Sequence, residues 1–335
     1  MTNNKSQITN TTKLKVLVVC RWHGDHAAAF IMEQVDALRS LGHDVQYVTA
    51  KKGGIGGYVE LYRNLKKAIR DVQPDIVHAH YGICGLIANL QRQVPVVVTY
   101  PGSDINNSKI RPLSILAMRL SKYNLFMGKR QIAKVQRYAK PEKTEILRYG
   151  IMLDLFQQKD KALARREMGL DFNKKYVLFS SKFTRLGKDP ELAKAVVALT
   201  NERMKELGDE REVVLLPLTG GYTKEEMVSL MNAVDAAIVT SKSEGSPQFT
   251  KEVMACGTPI VSVDVGDVAE QVEGLEGCWI APIGNRSLVI GYLADALEKA
   301  IEFGKTNGHQ HIKDMQLDNV QVAERLIAIY QKILR

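Results

Sequence analysis

Two kinds of hydrophobic pattern alternate along this chain. Continuous runs rich in Val, Ile and Leu fall at residues 14–20, 45–49, 75–78, 95–100, 123–127 and 145–147, and again at 176–180, 212–216, 235–240, 259–263 and 278–280. Between them, apolar residues recur at three- and four-residue steps. The clearest such segment is 27–41, where Phe30, Ile31, Gln34, Val35 and Leu38 fall on one helical grid and Gly42 supplies a stop. Further helices are predicted at 61–71, 192–200, 224–231, 251–256, 288–303 and 320–334. Strands that are apolar throughout, rather than alternating, are covered on both faces, as in a parallel sheet between helices. Two successive strand–helix arrays therefore predict an α/β protein with two doubly wound, Rossmann-like domains. The join is placed just after the last strand of the first array, giving domains at 1–153 and 154–335. The final helix is a candidate to pack back on the first domain.

Length agrees with this division, because 335 residues exceed one ordinary core and suit two of roughly 150. The 45% hydrophobic and 25% charged content is that of a globular chain. No apolar run approaches the roughly 18–20 residues that span a bilayer. Met1 to Thr12 is polar and lacks the apolar heart of a signal peptide. Cys20, Cys84, Cys256 and Cys278 are scattered in or beside apolar segments. They are expected to be reduced and mostly buried, which points to the cytoplasm. No Cys/His spacing suits a metal.

Charge is unevenly spread. Eleven Lys and Arg face only Glu142 and Glu145 between Lys109 and Arg148, a local excess equal to the +9 of the whole chain. Leu113, Ile115, Leu116, Met118 and Leu120 are interleaved with them. Such a patch attracts anionic lipid headgroups at about 1 kcal/mol per Lys or Arg near the surface. It can equally attract nucleic acid, or be a solvated basic face.

In open α/β sheets, ligands gather at the carboxyl ends of the strands. Polar clusters stand there in both arrays: Arg21-Trp22-His23-Gly24-Asp25-His26, His78-Ala79-His80-Tyr81-Gly82 and Pro101-Gly102-Ser103-Asp104 in the first; Ser180-Ser181-Lys182 running on to Arg185 and Lys188, Thr219-Gly220-Gly221 and Asp264-Val265-Gly266-Asp267 in the second. Their shared placement points to a cleft between the domains. The densest segment is Ser243-Glu244-Gly245-Ser246-Pro247-Gln248-Phe249-Thr250-Lys251-Glu252, followed by Val253-Met254-Ala255-Cys256-Gly257-Thr258-Pro259. Two carboxylates frame a small-residue loop and the start of a short helix. Backbone N–H groups and the helix dipole there favour a diphosphate, and Pro247 suits the first helical position. Glu244 is placed to accept from sugar hydroxyls and Glu252 from a ribose. A capped surface helix with a polar start accounts for the same letters.

Together these segments resemble the retaining glycosyltransferases of family 4, which have the GT-B fold: two Rossmann-like domains facing each other across a cleft. The resemblance spans residues 14–335 and is strongest over 241–270. Within the family it points to bacterial enzymes of surface polysaccharide synthesis, of the teichuronic-acid type. It implies that Lys182 and Lys188 bind the donor diphosphate, with Lys182 standing where the family usually has Arg. It implies that Glu244 holds the transferred sugar, that Gly245, Ser246, Pro247 and Gln248 touch sugar and phosphate, and that Glu252 accepts from the ribose. The base would lie near Gly220, and Gly24 would approach the diphosphate from the first domain. One departure is plain: the family often reads His-Gly-Ser-Asp where this chain reads Pro101-Gly102-Ser103-Asp104. Pro has no side-chain donor or acceptor, so His80, His23 or Asp104 would have to compensate, with Ser103 also on the acceptor side.

The implied function is transfer of a sugar from a nucleotide-diphosphate donor, UDP ahead of GDP, to a glycan or lipid-linked glycan. No Asp-x-Asp motif occurs, so neither metal nor other cofactor is expected. The expected partners are the donor, the acceptor and an anionic membrane surface met by the segment from Lys109 to Arg148, with no nucleic acid. The expected location is the cytoplasm, at the inner face of the plasma membrane. Three rivals share features of the pattern. A nucleotide-sugar epimerase or hydrolase would use the same donor site. A donor-binding scaffold without catalysis would explain Pro101. A nicotinamide dehydrogenase would need Gly-x-Gly-x-x-Gly after the first strand, which is absent.

Overall fold

The computed structural model describes residues 13–335 except 23, 51, 53 and 283. The first array is β1 (Lys15–Val19), α1 (Ala29–Ser40), β2 (Asp44–Val48), α2 (Gly54–Val72), β3 (Ile76–His80), α3 (Gly82–Asn89), β4 (Val96–Tyr100), α4 (Ser103–Asn106), α5 (Arg111–Leu120), β5 (Tyr123–Phe126), α6 (Lys129–Val135) and β6 (Thr144–Ile146). The second is α7 (Lys161–Glu167), β7 (Lys175–Phe179), α8 (Pro190–Glu206), β8 (Val213–Pro217), α9 (Lys224–Ala233), β9 (Ala236–Val239), α10 (Gln248–Ala255), β10 (Ile260–Val263), α11 (Val268–Gln271), β11 (Cys278–Ala281), α12 (Arg286–Phe303), α13 (Gly308–Asp314) and α14 (Asn319–Leu334). Every strand pairing is parallel, in the orders β2-β1-β3-β4-β5-β6 and β11-β10-β9-β7-β8. The expected pair of Rossmann-like domains is what the chain forms.

The unbroken apolar strands are buried because each sheet is covered twice. On the first sheet, α1 and α14 pack one face through Ile31, Val35, Leu38, Leu326 and Tyr330. Helices α2, α3 and α5 pack the other through Leu61, Leu65, Cys84 and Met118. The second sheet lies between α8 and α12 on one side and the layer containing α9, α10 and α13 on the other. Helix α14 thus belongs to the first domain's core although it ends the chain. The chain crosses between domains twice, and the crossings are tied: Ile151 N–H donates to Leu317 O at 2.9 Å, and Asn319 N–H donates to Ile151 O at 2.9 Å.

Two differences from the sequence expectation have clear causes. Helix α2 begins at Gly54, seven residues before the expected start. Gly54, Gly56 and Gly57 each cost a helix about 1 kcal/mol relative to Ala, which hides it. A Cβ on Gly57 would stand 2.0 Å from Lys52 O, so that glycine is needed for close approach. Helix α10 spans 248–255 rather than 251–256, and Pro247 is its N-cap with ψ 126° rather than its first residue. Among the described residues, no helix is long and apolar enough to cross a membrane. Cys20, Cys84 and Cys256 are buried and Cys278 half-buried, all as free thiols.

Candidate functional site

The carboxyl ends of both sheets face one cleft. It holds a cavity of about 450 Å³ lined from the first domain by Phe30, Tyr81, Pro101, Ser103, Asn106 and Tyr149, and from the second by Arg185, Lys188 and residues 243–249. The loops touch at its edge. Asn106 Nδ2 donates to Glu244 O at 2.9 Å. A Cβ on Gly245 would lie 1.8 Å from Pro101 O. Gly102, with φ 146°, lies as close from the other side, since its Cβ would meet Gly245 Cα at 2.7 Å. Only glycine permits this contact.

Within the cavity, Lys188 Nζ donates to Glu244 Oε1 in a short ion pair. Each side chain is less than one-fifth exposed, so the pair is partly desolvated and directional. Gln248 Nε2 donates to Gly150 O at 2.8 Å while its Oε1 lacks a partner. Ser246 Oγ accepts from Gln271 at 3.0 Å. Lys251 is fully buried and donates to Tyr149 O at 2.5 Å. Burial lowers its ammonium pKa to about 8, despite nearby Asp267. Arg148 binds Asp267 at 2.5 Å and Glu270 at 2.6 Å. These contacts fasten the start of α10 to the end of the first domain.

Residues 170–301 match the family described as Glycosyl transferases group 1, and residues 52–136 match Glycosyl transferase 4-like. Both halves of this chain thus match glycosyltransferase family models. Among curated relatives, the D-inositol 3-phosphate glycosyltransferase of Mycobacterium sp. (strain KMS) is 27% identical over 247 residues, which are 62% of this chain and 55% of that protein. TuaC of Bacillus subtilis (strain 168), named for teichuronic acid biosynthesis, is 27% identical over 219 residues, 60% of this chain and 56% of TuaC. The matches thus span little more than half the length of these relatives. Among solved structures, sucrose-phosphate synthase from Thermosynechococcus elongatus superposes with TM-score 0.78 at 16% identity, covering 96% of this chain and 99% of that one. Anabaena HepE in complex with UDP superposes with TM-score 0.68 at 17% identity, covering 95% and 100%. These neighbours establish the GT-B fold.

On this GT-B frame, Glu244, Lys188, Gly245, Ser246, Pro247, Gln248 and Ser103 gather at the large cavity. Lys182 does not line it. Its exposed side chain instead runs to Gly220, with Nζ 3.6 Å from where a Cβ on Gly220 would be. Gly24 is exposed, with φ 75° and open space around it, away from the cavity walls. His23 lies outside the described residues. Glu252 lies deeper in the seam, within electrostatic reach of Glu33 on α1 and of Lys224, whose Nζ is 2.7 Å from Glu33. Burial, then Glu33, raises its carboxyl pKa to about 7.

Of the three expected substitutes for the family His, His23 lies outside the described residues and the other two are placed elsewhere. His80 is fully buried, with Nδ1 2.7 Å from Tyr149 Oη and Nε2 unpartnered. It stacks 4.4 Å from His78, which is itself 2.6 Å from Tyr330 Oη on α14. His80 therefore reaches the cavity only through Tyr149 and is not positioned to touch substrate. Asp104 is also buried and accepts from Gly82 N at 3.0 Å and Gly102 N at 3.1 Å. Burial raises its pKa to about 6 against those bonds. Its work is to hold the loop that presents Pro101 and Ser103. Arg185, beside Lys188 in the cavity wall, carries no such role in the sequence assignment, although it stands three residues from Lys188 on the same strand-end loop.

Proposed function

We propose that this protein is a retaining glycosyltransferase that moves a sugar from a nucleotide-diphosphate donor to a glycan or lipid-linked glycan in surface polysaccharide synthesis. The Lys188–Glu244 pair, set at the start of α10 in an interdomain cavity, supports it most. In such a transfer the sugar's bond to the diphosphate oxygen breaks. The acceptor oxygen bonds to the same carbon from the same face, and its proton passes to the departing diphosphate. Negative charge grows on the leaving group, and stabilising it is the protein's main task. Lys188, Arg185 and the free N–H groups at the start of α10 are the groups at hand. Glu244 then orients sugar hydroxyls, and Glu252 the ribose. Cationic side chains in this role make a divalent ion unnecessary. UDP is favoured over GDP because the HepE structures contain UDP and UDP-glucose.

A membrane-borne acceptor is supported by α5. Leu113, Leu116 and Leu120 are exposed along it, one helical stripe flanked by the exposed Lys109, Arg119 and Lys122. This is the pattern of a helix lying on an anionic bilayer, at the cytoplasmic side of the membrane.

The deciding experiment is a thermal-shift panel of UDP-, GDP- and ADP-sugars, with and without EDTA, on wild type and Lys188→Ala. A shift with one nucleotide class, kept in EDTA and lost in the variant, is expected. No shift with any donor refutes the proposal. A second function, donor binding without transfer, is favoured by Pro101, because neither His80 nor Asp104 reaches the cavity in place of the missing His. Pro101→His separates the two: a large gain in transfer means a decayed enzyme, and a loss means a rebuilt working site.

A further inference from the structure

The loop contact between the domains has a second cavity beside it, of about 180 Å³. Asn106, Ser243, Glu244 and Gly245 line both cavities, so the two are one residue layer apart. The remaining walls of the smaller one include Arg130, Gln131 and Lys134 from α6, and Lys242, Asp264 and Asp267 from the second domain.

Its charges do not cancel locally. Asp264 is taken by Arg130, whose Nη2 lies 2.7 and 2.6 Å from the two carboxylate oxygens. Asp267 is taken by Arg148 at 2.5 Å, and Glu244 by Lys188. Each lining carboxylate therefore already has a cation. Two lysines have no carboxylate. Among the described residues, Lys134 Nζ donates only to Asn106 Oδ1 at 2.6 Å, and the Lys242 ammonium makes no hydrogen bond or ion pair; the carboxylate within its electrostatic reach, Asp189, is already paired with Arg286. Partial desolvation, then Arg111 and Arg130, press the Lys134 pKa below its usual value, a strain that an anion would relieve.

Gln131 is independent of these charges. It is 3% exposed. Its Oε1 accepts from Met127 N at 2.9 Å, which fixes which end of the amide is the donor. Its Nε2 then has no acceptor. A Cβ on Gly102 would stand 3.2 Å from it, so it lies against the loop contact. A buried donor left unmade is costly, and one in a cavity wall beside two unneutralised lysines suits an incoming oxygen.

We propose that this smaller compartment binds an oxyanion, phosphate or carboxylate, carried by the sugar acceptor, through Lys134, Lys242 and the Gln131 amide. This rests on the proposed transferase function and names its acceptor class as anionic. Such an anion would anchor the acceptor beside Glu244, against which the donor sugar sits on the other side.

The test is a titration of inorganic phosphate into the full chain, free and saturated with UDP, followed calorimetrically. UDP fills the donor diphosphate site, so saturable binding that persists in its presence reports the second compartment. Lys134→Gln and Lys242→Gln are each expected to weaken it about tenfold, and Gln131→Leu severalfold. Lys188→Ala should leave phosphate binding in place. Glucose 6-phosphate should bind at least as tightly as phosphate, and glucose not at all at the same concentration. Absence of saturable phosphate binding, or equal affinity in the Lys134→Gln/Lys242→Gln double variant, overturns the site. Exclusion of glucose 6-phosphate where phosphate binds overturns the acceptor assignment. Donor turnover is read in parallel: turnover with no second anion site sinks this inference alone, and an anion site without turnover sinks the transferase function and the acceptor assignment with it, leaving only the anion site.

Discussion

Gly245→Ala tests whether contact between the two domains is needed for transfer. The backbone at Gly245 does not require glycine, since its φ is outside the positive range, so alanine adds a methyl group without intrinsic strain. That methyl would lie 1.8 Å from Pro101 O and 2.9 Å from Pro101 C. A carbon–oxygen approach of about 3.3 Å is the comfortable limit, so the loops must separate by about 1.5 Å. Both atoms that block it are backbone, and the Asp104 bonds to Gly82 and Gly102 hold that backbone in place. The separation therefore falls on the domains. A misplacement of about 1 Å costs a reaction about 10²-fold, or about 2.7 kcal/mol of barrier. The donor-side groups Lys188, Glu244 and Glu252 all lie in the second domain, so the nucleotide Kd should change little. The assay pairs kcat with UDP affinity, and adds small-angle scattering to detect opening. A fall in kcat of about 10²-fold with affinity kept and a larger radius of gyration is expected. Wild-type kcat in Gly245→Ala would refute the claim that the loops must meet.

Further outcomes follow from charge and packing. Glu252 has its pKa raised from 4.5 to about 7, so the folded state holds a proton that the unfolded state has lost between those values. The Glu252 contribution to stability should fall as pH rises from about 4.5 to 7. Glu252→Gln should then stabilise the fold at pH 8, by at most about 3 kcal/mol, and raise its melting temperature relative to wild type, while weakening donor binding; a variant that is destabilised at pH 8 contradicts this. His78 is held at about pKa 3, and His80 well below its usual value, by burial. Their contribution to stability should fall as pH drops below about 6.5, at up to about 1.4 kcal/mol per unit for each His, against the opposite slope of Glu252. A melting temperature flat between pH 7 and 4.5 in Glu252→Gln, where that opposing slope is gone, would exclude it. Gly291 sits inside α12 with open space around its Cβ position, so Gly291→Ala should add up to about 1 kcal/mol to urea stability. Leu116→Glu together with Leu120→Glu should abolish flotation with anionic vesicles at low salt, and unchanged flotation would remove α5 from the membrane proposal.

The fold was legible where one segment carried its own signal. The apolar strands announced a doubly covered parallel sheet, and α1 announced itself by period and by Gly42. Helix α3 did not, because Gly82-Ile83-Cys84-Gly85-Leu86-Ile87 is apolar on nearly every side and shows no period. That Lys188, Glu244 and the α10 start come together was legible because they lie on neighbouring loops of one sheet. The acceptor half was not, because its geometry depends on distant residues. His80 looked available at the end of β3. It is closed off by Tyr330 on α14, bonded to its neighbour His78, and by Tyr149 at the domain crossing, 69 residues along the chain. Asp104 looked like a substrate ligand, yet its partners are amides that local sequence does not reveal.

The same dependence explains why Pro101 is compatible with a working cleft. At this position the backbone, not the side chain, makes the contact: Pro101 O lies where a Gly245 Cβ would be. A proline fixes φ and leaves the carbonyl free, so it stiffens the loop that meets Gly245. Asp104 fixes the next turn from below, and Asn106 carries the loop on to Glu244 O. The loop is thus held at three points within six residues, and all three serve its contact with the Glu244–Gly245 segment. A scaffold that only bound nucleotide would need none of them, since the donor-side groups stand in the other domain. A rigid, glycine-dependent contact across the cleft therefore weighs toward the proposed transferase with a rebuilt site rather than a nucleotide-binding scaffold.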